Sequence, residues 1–182
     1  MLAAGAWCGP LLNALGADLP LRPIPLTMSV TERAAPFVQH LIQHMSRHLS
    51  VKQLHSGNLI IGGSWPSRLT WSTQPLGAYD ALTQADAIVG NFRVACGVVP
   101  DVRMLHVLRS WGGVASDTPD HLPFLGPVPG LREAYIAAGG STFTLGPTVA
   151  RLLAELLLVG RTSLDVSAYD PARVLRSGGA AA

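Results

Sequence analysis

The sequence predicts an α+β fold with a mixed sheet, and three observations support this prediction. Two apolar runs, Leu49–Leu54 and Asn58–Gly62, flank a Ser-Gly turn, which is typical of a β-hairpin. Apolar residues recur with helical spacing over Tyr79–Val98. An apolar strand, Ala134–Ala138, passes through two glycines into a second helix, Pro147–Val159. Strands and helices thus alternate irregularly, as they do in α+β proteins.

The other predicted elements complete the order. The first residues, up to Trp7, are typical of the end of a buried strand, and a short helix over Leu11–Leu15 follows. Leu21–Glu32 has the alternation of a half-buried strand. We predict a further strand over Val102–Trp111 and a loop over Gly112–Gly130, which is rich in Gly, Asp and Pro.

Composition excludes several classes of protein. Of the 182 residues, 48% are hydrophobic and 13% are charged, which argues against disorder. A net charge of +2 without a basic stripe argues against nucleic acid as a partner. The most apolar stretch, Leu152–Val159, is far shorter than the ~20 residues of a membrane span. No secretory leader is evident, and Cys8 and Cys96 have no metal-ligand spacing, so we expect a cytoplasmic protein with buried thiols.

The glycine turn at Gly139-Gly140 is the most informative place for chemistry. A glycine turn exposes backbone N–H groups, and the helix after it contributes a positive N-terminal end. Such a turn stabilises an anion or a polarised carbonyl, and the N1–C2=O edge of a reduced flavin is one example. On spacing alone, such a turn is more often a tight strand-to-helix connection of the kind found in many α/β proteins.

Two other groups of residues have structural interpretations. His40, His44 and His48 would share one face of a helix, yet no cysteine or carboxylate joins them, so we expect no metal site. Asp120 lies between Pro119 and His121 and is predicted to fix a turn by accepting backbone hydrogen bonds, rather than to act as a general base.

Five segments carry motifs in a recognisable order. They are Leu2–Trp7, Leu21–Glu32, Gly57–Gly63, Arg109–Gly126 and Ala137–Pro147. The fourth is the most specific, with an Arg-x-Trp-x-Gly strand and a Thr-Pro-Asp-x-x-Pro-x-x-Gly loop. In this order the segments resemble the D-amino-acid oxidase superfamily of FAD-dependent oxidoreductases, in the branch of glycine oxidase and sarcosine oxidase beta subunits. The resemblance runs from residue 1 to about residue 173.

The resemblance implies a division of the chain. Residues 17–105 would form a mixed-sheet substrate-binding lobe, and residues 1–16 and 106–176 the C-terminal remnant of a glutathione-reductase-like FAD-binding lobe. Residues 177–182 would be a disordered tail. The family's first-half G-x-G-x-x-G fingerprint is absent from this sequence, so we expect the chain to be the C-terminal half of such an enzyme.

The implied activity is FAD-dependent oxidation of the carbon that bears an amine, in a small amino acid or a secondary amine, with hydride transfer to flavin N5. The FAD would be noncovalent, because no cysteine occupies the family's attachment position. A partner subunit that carries or completes the FAD-binding half is also expected. The alternative is a noncatalytic fragment or interaction subunit that keeps the fold and binds no FAD alone.

The resemblance also implies site residues. Those expected at the cofactor are Ala4, Gly5, Trp7, Gly139, Gly140, Ser141, Thr142, Phe143, Thr144 and Leu145. Those expected at the substrate are Lys52, Gln53, Arg109 and Trp111. The family's carboxylate-binding arginine falls near Ala115 or Ser116, which cannot replace it, so Arg47, Lys52 and Arg109 are the candidate cations. The loop Gly140-Ser141-Thr142 is about two residues shorter than the family's common form.

Two spatial expectations follow. The turns at Ala4-Gly5 and Gly139-Gly140 should lie close together, although ~134 residues separate them in the sequence. Apolar surface should be uncovered around Leu2, Trp7 and Ile136, beyond the few hundred Å² that soluble monomers usually expose.

Overall fold

The computed structural model of the chain describes residues 1–71 and 79–177. The helices among these residues are α1 (Cys8–Ala14), α2 (Ala85–Val98), α3 (Gly146–Val159) and α4 (Arg173–Ser177). The strands are β1 (Arg22–Arg33), β2 (Ile42–His44), β3 (Leu49–Gln53), β4 (Asn58–Gly62), β5 (Arg68–Trp71), β6 (Tyr79–Leu82), β7 (Val107–Asp117), β8 (Phe124–Pro127) and β9 (Tyr135–Ala138).

The strands form one larger sheet and two small ones. The larger sheet has the order β2-β3-β4-β1-β7, and its registered neighbours β2–β3, β3–β4 and β4–β1 are antiparallel. The small sheets pair β5 with β6 and β8 with β9. A parallel bridge joins Leu2 to Ile136. The fold is therefore mixed α+β with mostly antiparallel pairing, which confirms the predicted fold class at that level.

The chain divides into two compact units. One, the discontinuous unit, comprises the described parts of Met1–Ile24, Ser72–Tyr79 and Ala115–Ala182. The other, the sheet unit, comprises Pro25–Trp71 and Asp80–Val114. The boundaries near residues 24 and 114 differ from the predicted ones near residues 16 and 105. The assignment of an FAD-binding and a substrate-binding lobe stays a prediction.

In the sheet unit, one face of the larger sheet is buried together with residues of α2. Val51, Leu59 and Ile61 are fully buried there, in one apolar cluster with Ala95. Strand β1 brings hydroxyl groups to the buried side, and each has a partner, as burial demands. Those pairs are Thr27 Oγ1 with Ser67 Oγ at 2.8 Å, Ser29 Oγ with Ser110 Oγ at 2.7 Å, and Leu59 N–H donating to Thr31 Oγ1 at 3.0 Å.

In the discontinuous unit, strand β9 lies between two apolar clusters. Ile136 and Ala138 join a cluster that contains Leu12 and Phe124. The alternate residues, Tyr135 and Ala137, pack against a second cluster, formed by Leu125, Val149, Leu152 and Leu153. Because successive side chains of a strand point to opposite faces, a fully apolar strand suits this position, as its sequence predicts.

Several predicted boundaries are wrong. The segment Tyr79–Val98 is not one helix, because its first residues form β6 beside β5 and α2 begins only at Ala85. The strand predicted over Val102–Trp111 begins instead at Val107 and continues to Asp117, after a 3₁₀ turn that starts at Pro100. Gly112, placed in a loop by the sequence, belongs to this strand. A Cβ there would meet the carbonyl group of Ala81, so close strand packing demands glycine.

Short strands account for the remaining differences. Strands β2, β5 and β8 lie in segments without a clear alternating pattern, and they are fixed by their neighbours in the sheets. Helix α1 begins at Cys8 rather than Leu11. Of the predicted tail, residues 178–182 lie outside the described residues.

The histidine spacing does not produce a helical face. His44 ends β2, and His48 has a left-handed backbone with φ +54°. Within residues 1–71 and 79–177, no three His, Cys, Asp or Glu side chains come together in a metal-binding group. None of the helices described is long and apolar enough to cross a membrane.

Candidate active site

An uncharged groove in the discontinuous unit has a volume of about 500 Å³. Its wall is formed by Met1, Ala3, Gly5, Ala137, Thr142, Phe143, Gly146, Val149, Ala150, Leu153, Ala154 and Leu157. The α3 residues among them recur at intervals of three and four, so one face of the helix lines the groove. Among the described residues of this wall, Thr142 has the one polar side chain. The groove therefore suits an apolar or aromatic group rather than an anion.

Backbone pairing brings the first residues of the chain and strand β9 to this groove. The N–H group of Leu2 donates to Tyr135 O at 2.7 Å, and the N–H group of Ala137 donates to Leu2 O at 2.9 Å. Ala3 and Gly5 consequently face the same groove as Ala137 and Thr142. Gly5 and the residues on either side of Gly139-Gly140 thus line one groove, which agrees with the expected proximity of the two turns.

The turn after β9 depends on glycine. Gly139 has φ +106°, a conformation that L side chains rarely adopt. A Cβ on Gly140 would lie 2.7 Å from His121 O and 2.9 Å from Asp117 Oδ1, so a methyl group does not fit there. The Thr142 hydroxyl donates to Gly139 O at 2.8 Å and closes the turn.

This turn leaves backbone donors unpaired. Leu145 N–H donates to Ser141 O at 3.0 Å, and Thr142 N–H donates to Gly139 O at 3.4 Å. In the part of the chain that the structure describes, no acceptor pairs with the N–H groups of Phe143 and Thr144. Helix α3 follows directly and has no acidic residue in its first turn, so its positive end is not neutralised from within the helix. Phe143 is 99% exposed.

The remaining cofactor candidates lie outside the groove wall. Ala4 is exposed, and its N–H group donates to Cys8 Sγ at 3.1 Å. Trp7 is 39% exposed, and neither Ala4 nor Trp7 lines the groove. Leu145 lines a neighbouring apolar cavity of about 180 Å³. Cys8 is fully buried, and desolvation raises the pKa of its thiol.

The expected position of uncovered apolar surface needs correction. Ile136 is fully buried, because its side chain lies on the face of β9 that packs with Leu12 and Phe124. Trp7, at the expected position, is 39% exposed, and Leu2 is half-buried. Among the described residues, exposed apolar side chains also include Phe143 and, at the end of α3, Leu158 at 84% and Val159 at 65%.

A second turn, residues 117–122, lies against the first, and we call it the clamp turn. Its Asp120 accepts from Leu122 N–H at 3.2 Å, as predicted for a turn-fixing carboxylate. Asp120 is also paired with Arg173, at 2.7 Å from Oδ2 to Nε and 3.0 Å from Oδ1 to Nη2. The Arg173 hydrogen bonds hold the pKa of the Asp120 carboxyl well below its usual range, and the bonds from Leu122 and Thr118 act in the same direction.

Three of the four predicted substrate residues, Lys52, Arg109 and Trp111, lie on the second, less buried face of the larger sheet. Lys52 is opposite Ile60, and Ile60 is opposite Val30, so these three side chains share one face. On β7, Ser110 points to the buried face, where it bonds Ser29. Its neighbours Arg109 and Trp111 therefore point to the unburied face with Lys52. We call this set of five residues the open face.

The open face combines apolar and cationic groups. Val30, Ile60 and Trp111 are half-buried, while Lys52 and Arg109 are exposed. The Arg109 guanidinium lies 5.1 Å from the centroid of the Trp111 ring, a cation–π distance. Two cations beside aliphatic and aromatic surface can hold a small molecule with a carboxylate and an apolar body.

Gln53 has a structural role in this unit. Its Oε1 accepts from Phe37 N–H at 2.9 Å and from Val38 N–H at 3.0 Å. Its Nε2 donates to the carbonyl groups of Ala35 and Gly57, each at 3.1 Å. Because these bonds use the hydrogen-bonding capacity of the amide, Gln53 fixes the 34–38 segment against the hairpin.

Sequence reasoning missed two parts of this region. The α3 groove wall was signalled by small residues at helical spacing, Gly146, Ala150 and Ala154. Arg173 was missed entirely, because 53 residues separate it from Asp120 and nothing local marks the pair.

Comparison with known proteins decides the family. Residues 1–156 match the sequence model of the family described as FAD dependent oxidoreductase, which covers most of the chain. The chain belongs to this family. The resemblance noted from the five motifs is therefore confirmed.

Named relatives within the FAD-dependent oxidoreductase family include amino-acid and amine oxidases. The chain is 27% identical to the glycine oxidase of Pseudomonas putida over 173 residues, which are 94% of this chain and 44% of that protein. It is 26% identical to the sarcosine oxidase subunit beta of Arthrobacter sp., and this match covers 100% of this chain and 44% of that protein. The chain thus spans less than half the length of these relatives.

Solved structures show the same fold. The L-proline dehydrogenase of P. horikoshii superposes with a TM-score of 0.80 and 24% identity, over 96% of this chain and 46% of that one. The glycine oxidase of Geobacillus kaustophilus gives a TM-score of 0.74 and 23% identity, over 93% and 44%.

The described residues fit one end of the family's FAD. The uncharged groove, with unpaired N–H groups at the start of α3, suits a flavin ring system whose carbonyl edge accepts hydrogen bonds. Among the described residues that line the groove, none is an Arg or Lys that could hold a diphosphate. The diphosphate would need other residues.

Proposed function

We propose that this chain supplies the flavin-contacting and substrate-contacting part of an FAD-dependent oxidoreductase. The enzyme would oxidise the carbon that bears an amine in a small amino acid or a secondary amine. Bound FAD would supply the hydride acceptor for this oxidation. The glycine turn with free N–H groups beside the uncharged groove is the observation that carries this proposal.

The groove residues would hold the flavin without a covalent bond. Thr142 and Phe143 lie where the turn meets the groove, and Gly5 and Gly146 contribute no side chain to its wall. The N–H groups of Phe143 and Thr144 would donate to the carbonyl edge of the ring. Noncovalent binding is supported by the positions of the cysteines, because neither Cys8 nor Cys96 lines the groove.

The open face would bind the substrate. An amino-acid carboxylate would pair with Arg109 or Lys52, because a charge-assisted hydrogen bond to either cation compensates for desolvation of the carboxylate. The apolar body would pack on Val30, Ile60 and Trp111. Arg47 is exposed in a 3₁₀ turn and is the third candidate cation.

A second candidate function follows from the described groove wall, which offers no Arg or Lys side chain for the diphosphate. The chain would then be a noncatalytic or interaction subunit, and the FAD-binding half would lie on a partner. Two relatives are themselves named as subunits, of hydrogen cyanide synthase and of sarcosine oxidase. The exposed apolar side chains at Phe143 and Leu158 favour a covering partner.

Flavin titration distinguishes the two candidates. Riboflavin lacks the ADP part of FAD, so a groove that recognises the ring alone should bind both compounds with similar affinity, measured by flavin fluorescence. Ala150→Phe fills the groove and should weaken binding at least tenfold. Ala85→Phe, at an exposed position of α2, should not.

Each outcome has a defined meaning. Binding that Ala150→Phe reduces supports the flavin groove. Absence of binding of either compound to the chain at millimolar flavin contradicts flavin binding by the chain alone and favours the subunit candidate.

A further inference from the structure

The Arg173 guanidinium donates hydrogen bonds to several acceptors that lie close to one another. Besides Asp120, it donates from Nη2 to Leu122 O at 2.7 Å and from Nη1 to Asp170 O at 3.2 Å. Its guanidinium also lies 4.6 Å from the centroid of the Phe124 ring. The side chain is only 14% exposed. Such a planar set of donors holds several acceptors at fixed angles, which a lysine ammonium cannot reproduce.

The residues that Arg173 holds belong to or follow the clamp turn. Thr118, the second residue of this turn, is 1% exposed, and its hydroxyl donates to Leu122 O at 2.6 Å. Arg173 donates to the same carbonyl group, Leu122 O. The hydrogen bonds of Thr118 and Arg173 therefore hold the C-terminal end of the turn together.

The clamp turn also packs closely against the glycine turn. A Cβ on Gly139 would lie 2.8 Å from Thr118 Cγ2, and one on Gly140 would lie 2.7 Å from His121 O. In a close-packed interior, a displacement of one such turn must displace the other. A link therefore runs from Arg173 through the clamp turn to the backbone of Gly139 and Gly140.

We infer that Arg173 is a positioning residue for the Gly139–Leu145 loop. The hydrogen bonds and the ring contact of Arg173 described above go to Asp120, Leu122, Asp170 and Phe124, and it fixes the loop's backbone N–H groups through the clamp turn. The inference uses the proposed function in one respect only, because that function makes the loop the flavin-contacting segment. The mechanical coupling is a property of the discontinuous unit and can be tested without flavin.

Amide hydrogen exchange of the 182-residue chain, read by mass spectrometry, tests the coupling. In Arg173→Met, exchange of peptides from residues 117–122 and 139–145 should be at least tenfold faster than in the original protein. Arg173→Lys keeps the charge but loses the fixed donor geometry, so it should give an intermediate increase. Peptides from α1 should exchange at the original rate in both variants. Arg161→Met, at an exposed arginine of the same unit, is the matched control and should change nothing.

Two results would overturn the inference. Unchanged exchange of the 139–145 peptides in Arg173→Met would show that the loop does not depend on Arg173. Equal acceleration in α1 and in the loop would show that Arg173 merely stabilises the whole unit. If Arg173→Met does not fold, Asp120→Asn provides the same test, because it weakens the pair and keeps an acceptor for Leu122 N–H. If the chain binds no riboflavin, the proposed function is contradicted. The hydrogen-exchange result would still decide whether Arg173 positions the loop.

Discussion

The glycine turn and the open face differ in how their geometry is fixed. The glycine turn is fixed by backbone bonds, by a positive φ at Gly139 and by contact with the clamp turn. The open face is fixed by strand register, and its cations, Lys52 and Arg109, are exposed side chains. Substitution should therefore change folding stability at the first region and ligand affinity at the second. The first three predictions test this difference.

The largest expected effect is at Gly139. Alanine there adds a methyl group 2.8 Å from Thr118 Cγ2 and strains a left-handed backbone. We expect Gly139→Ala to lower the free energy of unfolding by about 3 kcal/mol, from the combined cost of overpacking and backbone strain. Urea denaturation followed by circular dichroism measures this change.

Gly97 provides a control with the opposite sign. It lies in α2, and a Cβ there meets nothing within 4 Å. Gly97→Ala should therefore raise the free energy of unfolding by roughly 0.5–1 kcal/mol, the usual gain from alanine in a helix. Equal effects of the two substitutions would refute the claim that the glycine turn is sterically fixed.

A smaller effect is expected at the Asp120–Arg173 pair. The folded-state pKa of Asp120 lies below the ordinary value of about 3.9, so the pair stabilises the fold above that pH and loses its contribution as the pH falls through the folded pKa. Asp120→Asn should cost on the order of 1 kcal/mol at pH 6, because solvent screens a carboxylate that is 40% exposed.

The pH dependence supplies the check. Denaturation at pH 6, 4 and 3 should show the difference between the original protein and Asp120→Asn shrinking as the pH falls. Asp18→Asn, at an exposed position of the same unit, serves as the matched control. A difference that stays constant down to pH 3 would mean that the charge of Asp120 contributes nothing.

The smallest effect on stability is expected on the open face. Arg109→Met and Lys52→Met replace exposed cations and should change the free energy of unfolding by less than about 0.5 kcal/mol. Binding of small carboxylates, measured as NMR shifts on titration with glycine and acetate, should weaken in at least one of the two variants. Lys52 and Arg109 would be eliminated as substrate cations if both variants bound these compounds like the original protein.

The sequence predicted those features that local chemistry determines. The hairpin around Gly57, the strand at β9 and the end of α3 at Gly160 follow from turn residues and periodicity, and the structure has them nearly as predicted. Strand β6 was missed because its residues fit a helical pattern as well as a strand, and pairing with β5 decides between the two. Local propensity cannot report such a tertiary choice.

The sequence also predicts some residues of the candidate site and not others. The motif around Gly139 located the turn, while only Gly5, Thr142 and Phe143 of the ten cofactor candidates line the groove. Gln53 was chosen for its strand position, yet its amide is used by backbone groups. Contacts between segments far apart in sequence, such as Asp120 with Arg173, leave no local pattern to find.

Backbone amide NMR of the chain during titration with riboflavin tests the central claim most directly. If the groove and the start of α3 hold the flavin ring, the amide resonances of Phe143 and Thr144 should shift most, and those of α2 in the sheet unit should stay in place. Shifts confined to the sheet unit, or none at Phe143 and Thr144 while riboflavin binds, would contradict the assignment of the glycine turn as the flavin site.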